Sequence, residues 1–192
     1  MDINEAIYGR HSTREFTGDT VDEKTIRRLI DAAAHAPNAS NEQPWSFIVV
    51  RDQELLQRIS RHAKSLLVPH LPEGPLYDRY RTTLSNPDFH IFYHAPVLIV
   101  ISGTGQVPFV VEDCALAAEN LMLSAHAAGL GTCWIGFSHQ FLNTPEGKNA
   151  LGIPASWVPV APIIVGHPKD VPSVAPPGLL RGRKEPEIRW IG

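Results

Sequence analysis

Four short apolar runs, each suited to a buried strand, alternate with helical segments of unequal length. The runs cover residues 47–50, 97–101, 132–135 and 158–165. They are rich in Val and Ile, and Pro, Gly or charged residues lie near their ends, as is typical of buried strands. The connections between them do not follow the regular strand–helix–strand rhythm of a doubly wound sheet. The pattern therefore predicts an α+β fold rather than a doubly wound sheet.

Capping residues and helical spacing predict the helices between these strands. The first helix is predicted from Asp2 to about Gly9, and the second is capped by Thr20 or Asp22 and ends before Pro37. A third helix is predicted around 55–63, and a fourth over 110–128, closed by Gly129. A short fifth helix runs from Thr144–Pro145 to about Leu151. Residues 68–93 show no sustained period. We expect an irregular, partly helical excursion there, of the kind that often covers a site.

Composition narrows the class of protein. The 192 residues, 43% of them hydrophobic, predict a single domain over 1–192 with an extended tail at 168–192. A net charge of −3 gives no electrostatic reason to expect nucleic acid. There is no apolar stretch long enough to span a membrane and no secretory signal, so we expect a cytoplasmic protein. Cys114 and Cys133 lie in apolar context, which predicts reduced, buried thiols.

Common catalytic and metal motifs are missing. The sequence has no P-loop, no G-x-G-x-x-G after a strand, no G-x-S-x-G elbow and no H-E-x-x-H. His90 and His94 are four residues apart, but the nearby Pro96 argues against a helix that presents both. We therefore predict no metal site, and packing and surface roles for the two histidines.

The first segment that suggests chemistry is Arg10–Phe16, read as RHSTREF. Two arginines four residues apart, with Ser12 between them, suit a phosphate because guanidinium groups bind its oxygens in pairs. The alternative is a solvated basic turn.

The second segment, residues 36–45, is a polar loop of sequence APNASNEQPW. Its amides both donate and accept hydrogen bonds, as the edge of a flavin pyrimidine ring requires. The alternative is a loop that only caps the neighbouring elements.

The third segment is Gly129–Gly136, of sequence GLGTCWIG. Its glycines allow the backbone to approach a planar ligand, and a main-chain N–H could reach a ring atom. The alternative is a helix C-cap leading into a strand, which explains Gly129 without a ligand.

Taken together, these segments resemble the nitroreductase family of FMN enzymes. The R-x-S-x-R-x-F start, the APNASNEQPW loop and the GLGTCWIG segment occur in the order and spacing of that family. The His94–Val97 entry to the second strand and the tail with Arg181 and Arg183 also look similar. The resemblance extends from Ile7 to Trp190.

The resemblance implies an α+β fold with a central mixed or antiparallel sheet flanked by helices. It also implies a tight homodimer with exchanged C-terminal tails and FMN at the subunit interface. Arg10, Ser12 and Arg14 would hold the phosphate, ribityl chain and pyrimidine edge. The loop residues would come from the other subunit, Ile135 and Gly136 would present backbone near flavin N5, and the tail would reach the phosphate. The implied cofactor-binding set is Arg10, His11, Ser12, Arg14, Pro37, Asn38, Ala39, Asn41, Gln43, Cys133, Trp134, Ile135, Gly136, Arg181 and Arg183, with Asn86 as a further candidate.

The implied reaction is hydride transfer from NADH or NADPH through flavin N5 to an electron-poor acceptor such as a nitroaromatic or a quinone. It would follow ping-pong kinetics, with Arg14 stabilising charge on the reduced flavin and no protein nucleophile. Alternatives are a relative that performs reductive dehalogenation or flavin breakdown, and a flavin-binding dimeric module without turnover. A Rossmann domain is disfavoured because no glycine-rich turn follows a strand.

Overall fold

The computed structural model describes residues 1–105, 107–169 and 184–192. The fold is built on a four-stranded antiparallel sheet with strand order β1-β2-β4-β3. The strands are β1 (Trp45–Val50), β2 (Val97–Gly103), β3 (Gly131–Trp134) and β4 (Val158–Gly166). All four predicted strands are present. Strands β1, β2 and β4 extend one or two residues beyond the predicted runs, whereas β3 begins one residue earlier and ends before Ile135, which belongs to the turn that follows. The α+β prediction is confirmed.

The two most apolar strands occupy the centre of the sheet. Every residue of β2 is buried, and so is all of β4 except Val158. Strands with both faces covered carry continuous apolar runs rather than an alternating pattern. The shorter strands β1 and β3 form the edges.

Seven α-helices lie in the described part of the chain. They are α1 (Ile3–Gly9), α2 (Glu23–Ala34), α3 (Gln53–Leu67), α4 (Pro75–Ser85), α5 (Val110–Ala127), α6 (His139–Leu142) and α7 (Pro145–Ala150). Asp2, Asp22 and Thr144 cap α1, α2 and α7 through their side chains, as predicted. Gly129 follows α5 with φ +74°, the left-handed conformation expected after a helix.

Helices cover both faces of the sheet. Helices α2 and α5 bury their apolar faces on one side, where Leu29, Ala117 and Leu121 pack against Ile99 and Ile163. Helices α3 and α6 cover the other face, where Leu56, Ile59 and Leu142 contact the alternate residues of β2 and β4. Cys114 and Cys133 are both buried and unpaired, in agreement with the sequence.

The 68–93 segment is more regular than its sequence suggests. It contains the 11-residue helix α4, which begins with Pro75 at its first position. Only Leu84 of this helix is buried, so few apolar residues mark its period in the sequence. The Tyr80 ring lies 5.4 Å from the Phe137 ring, which places α4 beside the turn that follows β3.

The C-terminal residues 184–192 are exposed, and Trp190 is 89% accessible. Arg181 and Arg183, assigned by resemblance to phosphate binding, lie outside the described residues. Among the helices of the described ranges, none combines the length and apolar character needed to cross a bilayer.

Candidate functional site

The Arg10–Phe16 segment lies alongside β3, so the first and third segments meet. Ser12 forms a parallel bridge with Thr132, and the Thr13 N–H donates to the Thr132 carbonyl at 2.8 Å. Gly131 permits this approach because a Cβ there would lie 2.6 Å from Cγ2 of Thr13. The glycine is thus explained by packing within the chain and not by a ligand.

Three side chains of the first segment lie close enough to Cys133 to influence the pKa of its thiol. Burial raises the pKa of Cys133, while the Arg14 charge, the Ser12 hydroxyl and the Arg10 charge act in the opposite direction. Arg10 Nε also lies 3.7 Å from Glu119 Oε1 on α5. The two arginines and the Ser12 hydroxyl therefore form one cationic, hydrogen-bonding face beside β3.

His11 lies at the margin of this face. Its Nδ1 is 3.1 Å from the Gly9 carbonyl, and its ring is 6.4 Å from the ring of His126 near the end of α5. Burial lowers the pKa of His126, and the charges of His11 and Arg10 lower it further.

In the turn after β3, Ile135 and Gly136 have different roles, although the sequence analysis treated them together. The Ile135 N–H donates to the Pro162 carbonyl at 2.8 Å, and the Ile135 side chain is buried. Gly136 is exposed, and a Cβ placed there would meet no atom within 4 Å. Within the described residues the Gly136 N–H makes no hydrogen bond. The open backbone donor is thus at Gly136, with Trp134 partly exposed beside it.

Amide side chains of the polar loop hold the loop itself together. Asn38 Oδ1 accepts from the Gln43 N–H at 2.8 Å, and Gln43 Nε2 donates to Asn41 Oδ1 at 3.3 Å. Ser40, Asn41 and Gln43 all have left-handed backbone, with φ of 52°, 56° and 49°. Pro37, Asn41 and Gln43 remain exposed, so the loop presents a preformed polar edge to its surroundings.

The loop and the cationic face contact different parts of α5. The Ala39 N–H donates to Asp113 Oδ1 in the first turn of α5, whereas Arg10 pairs with Glu119 and His11 faces His126. At 1.5 Å per residue, Glu119 and His126 lie about 9 Å and about 20 Å from Asp113 along the helix axis. Within one chain, the loop and the cationic face therefore contact α5 at different points along its axis.

Asn86, the further candidate from the 68–93 segment, has a local role. Its Oδ1 accepts from the Asp88 N–H at 2.9 Å, and its carbonyl accepts from Lys64 Nζ at 2.8 Å.

Two residues near the candidate site were not predicted from the sequence. The ring of Tyr93 lies 6.0 Å from the Arg14 guanidinium carbon, and Asp113, only 3% exposed, holds the polar loop. A carboxylate on the buried face of an Ala- and Leu-rich helix was a usable signal for Asp113. Nothing in the local sequence pointed to Tyr93.

The rings of His90 and His94, which are four residues apart in the sequence, pack against each other at a tilt. Their centroids are 4.6 Å apart, with His90 buried and His94 exposed. Across the described residues, no group of three or more His, Cys, Asp or Glu side chains is arranged to hold a metal ion.

Comparison with known proteins agrees with the resemblance seen in the sequence. The family model "Nitroreductase family" matches residues 7–167. A Methanothermobacter thermautotrophicus protein carrying the name NADH dehydrogenase/NAD(P)H nitroreductase is 33% identical over 177 residues, which cover 90% of this chain and 80% of the relative. The Bacillus subtilis protein named FMN reductase [NAD(P)H] is 25% identical over 174 residues, covering 88% and 67% of the two chains.

The fold agrees as well. The crystal structure of a Bacteroides fragilis nitroreductase with bound FMN superposes with a TM-score of 0.79 at 22% identity, with all of both chains covered. Together with the family match over most of the sequence, this similarity shows that the chain belongs to the nitroreductase family.

Proposed function

We propose that this chain is an FMN-dependent oxidoreductase that carries reducing equivalents from NADH or NADPH to an electron-poor acceptor such as a nitroaromatic or a quinone. The names of the relatives, NAD(P)H nitroreductase and FMN reductase, support the cofactor and the donor. The single observation that carries the proposal is the cationic face of Arg10, Ser12 and Arg14 beside the open Gly136 turn.

The residues present fit a flavin mononucleotide. A phosphate and a polar ring edge need fixed cations and hydrogen-bond donors, which the two arginines and Ser12 supply. A planar ring also needs a place where the backbone can approach closely. Gly136 offers that place, because no atom of the described residues occupies the space a side chain would fill.

Within this proposal, Arg10 and Ser12 bind the phosphate and ribityl chain, and Arg14 lies at the pyrimidine edge. When bound, FMN would supply the hydride-transfer chemistry between the nicotinamide and the acceptor, which implies ping-pong order. Arg14 would stabilise the negative charge that reduction places on the ring, since a fixed cation acts most strongly where water is excluded. Arg181 and Arg183 would add positive charge at the phosphate.

We further propose that each site is completed by a second copy of the chain. Five apolar side chains, more than 40% accessible, lie exposed on α1 and α5; they are Ile3, Ile7, Tyr8, Val111 and Leu116. An exposed apolar surface on packed helices is typical of a protein–protein interface. If two copies of α5 pack antiparallel about a two-fold axis, the polar loop of one subunit comes next to the cationic face of the other.

The first test is the visible absorption spectrum of the purified protein, taken under nitrogen before and after addition of NADH or NADPH. We expect flavin bands, present on isolation or restored by added FMN, that bleach on reduction. Addition of a quinone should then restore the oxidised bands. Initial rates at several fixed acceptor concentrations should give parallel double-reciprocal lines, as ping-pong order requires.

Other outcomes separate the alternatives. Flavin bands that stay oxidised with both nicotinamides would favour a flavin-binding module without NAD(P)H turnover. Bleaching that a halogenated phenol reverses but a quinone or nitroaromatic does not would favour reductive dehalogenation. Loss of the flavin itself during turnover would favour flavin breakdown. A protein that cannot take up FMN would contradict the proposal as a whole.

A further inference from the structure

The turn before β2 is strained at two adjacent residues. Tyr93 and His94 have φ of 51° and 53°, in the left-handed region. His is among the residues that tolerate this region, but a bulky Tyr rarely adopts it. A conformation of this kind persists only when the surrounding structure fixes it, and it often marks a functional position.

Side chains of helix α3 hydrogen-bond to the backbone of the segment that leads into this turn. Ser60 Oγ accepts from the Ile91 N–H at 3.1 Å, and Lys64 Nζ donates to the Asn86 and Phe89 carbonyls at 2.8 and 2.7 Å. Lys64 is only 8% exposed, so its buried ammonium group stabilises the chain between Asn86 and Phe89. The Tyr93 N–H closes the turn on the His90 carbonyl at 2.9 Å.

The turn before β2 presents the Tyr93 ring to Arg14. The ring packs edge-to-face on Phe89, with centroids 5.6 Å apart and an interplanar angle of 84°. The Arg14 guanidinium carbon lies 6.0 Å from the ring centroid. Burial raises the pKa of the Tyr93 hydroxyl, and Arg14, through its charge and its closeness to the hydroxyl, opposes that rise. The distance of 6.0 Å is within the range of a cation–π contact.

Arg14 has few other restraints in the described part of the chain. Its side chain is exposed, and its one hydrogen bond there, from Nη1 to the Ser12 carbonyl, is long at 3.5 Å. A guanidinium stacks well on an aromatic face while its five donors stay free for another partner. The contact with Tyr93 thus directs the cation while leaving donors of the guanidinium for another partner.

We propose that Tyr93 is a positioning residue for Arg14, holding the guanidinium where it can stabilise the reduced flavin. This inference rests on the proposed function, and it adds a residue that acts through Arg14 rather than by contact with the acceptor. Loss of the ring does not change the charge of Arg14, but it allows the guanidinium to move into solvent. The reduced flavin then loses more stabilisation than the oxidised flavin, because only the reduced form carries the added negative charge.

The test compares Tyr93→Asn and Tyr93→Phe. Asn tolerates the left-handed backbone and removes the ring, whereas Phe keeps the ring and removes the hydroxyl. The readouts are the dissociation constant of oxidised FMN, from fluorescence quenching, and the two-electron midpoint potential of the bound flavin. For Tyr93→Asn we expect reduced FMN to lose about tenfold more affinity than oxidised FMN. That ratio corresponds to a shift of about 30 mV to more negative potential. Tyr93→Phe should return the potential close to that of the unmodified protein.

Tyr93→Asn in an Arg14→Ala background is the decisive control, because the effects of substitutions at two residues that act together do not add. We expect Tyr93→Asn to cause no further shift there. An unchanged potential in Tyr93→Asn, or an equal shift with and without Arg14, would overturn the inference while leaving the proposed function intact. If Tyr93→Asn does not fold, Phe89→Leu replaces it, because this change removes the ring on which Tyr93 packs. We expect Phe89→Leu to shift the midpoint potential in the same direction by a smaller amount. An unchanged potential in Phe89→Leu would overturn the inference. Failure of the unmodified protein to bind FMN would overturn both.

Discussion

At the scale of single residues, two glycines of the third segment have different roles. At Gly131 a Cβ would collide with the buried Thr13 side chain, whose Cβ and Oγ1 both lie 2.7 Å away. We expect Gly131→Ala to lower the free energy of unfolding by about 1–3 kcal/mol, the usual cost of overpacking. Urea denaturation of the FMN-free protein measures this. A loss below the error of that measurement would contradict the assigned packing.

Gly136 is the matched position, because none of the residues that the structure describes would meet a Cβ there. We expect Gly136→Val to leave the stability of the FMN-free protein within about 0.5 kcal/mol, as for a surface change. Its affinity for FMN should nevertheless fall at least tenfold, since the side chain would fill the space proposed for the ring. Fluorescence titration with FMN checks this prediction. An unchanged affinity would place the flavin elsewhere.

His90 links the turn before β2 to pH. Burial lowers its pKa from 6.5 to about 4, and the charges of His94 and Lys64 act in the same direction. The folded protein therefore favours the neutral ring. Its contribution to stability is complete above about pH 6.5 and is lost as the pH falls towards 4.

We expect the melting temperature to fall more steeply between pH 6.5 and 4 in the unmodified protein than in His90→Asn. Asn keeps an acceptor for the Phe92 N–H, which now donates to His90 Nδ1 at 3.2 Å, but it does not titrate. Thermal unfolding across this pH range measures the difference. Parallel curves for the two proteins would show that His90 does not carry the effect.

At the scale of elements, α5 organises the polar loop through Asp113. One carboxylate oxygen accepts from the Ala39 N–H at 3.0 Å, and the other is buried without a partner among the described residues. We expect Asp113→Ala to destabilise the FMN-free protein by about 1–3 kcal/mol, because it leaves a partly buried loop N–H unpaired. It should also weaken FMN binding by loosening the loop. Asp113→Asn retains an acceptor and should lose less in both measurements, and equal losses would contradict a hydrogen-bonding role.

At the scale of the whole molecule, the proposed site requires two copies of the chain. We expect Leu116→Glu, on the exposed face of α5, to give a monomer that binds FMN poorly, since charge is strongly disfavoured at the core of an interface. Light scattering after size-exclusion chromatography measures the mass. Leu76→Glu is the matched control, because Leu76 is similarly exposed but lies on α4. A monomeric Leu116→Glu protein that binds FMN normally would contradict a shared site.

The sequence by itself determined the elements and the family. Each strand was predicted from an apolar run, and the caps at Asp2, Asp22 and Thr144 marked helix starts, because both signals arise from neighbouring residues. Family membership followed from motifs whose order survives in the linear chain, and the comparisons confirm it. Helix α4 was predicted only in part, since an exposed helix needs few apolar residues to mark its period.

Only the tertiary structure decided which of these segments meet. The bridge between Ser12 and Thr132 joins residues far apart in the chain, and packing of α1 and β3 on α5 sets it. The Ile135 N–H is taken by Pro162 and Tyr93 lies beside Arg14 for the same reason. Contacts of this kind depend on the register of strands and on which elements the buried helix faces meet, and no local sequence pattern encodes either. The different contact points of the polar loop and the cationic face along α5 are likewise set by how the helices pack, and they support the proposal that a second subunit completes each site.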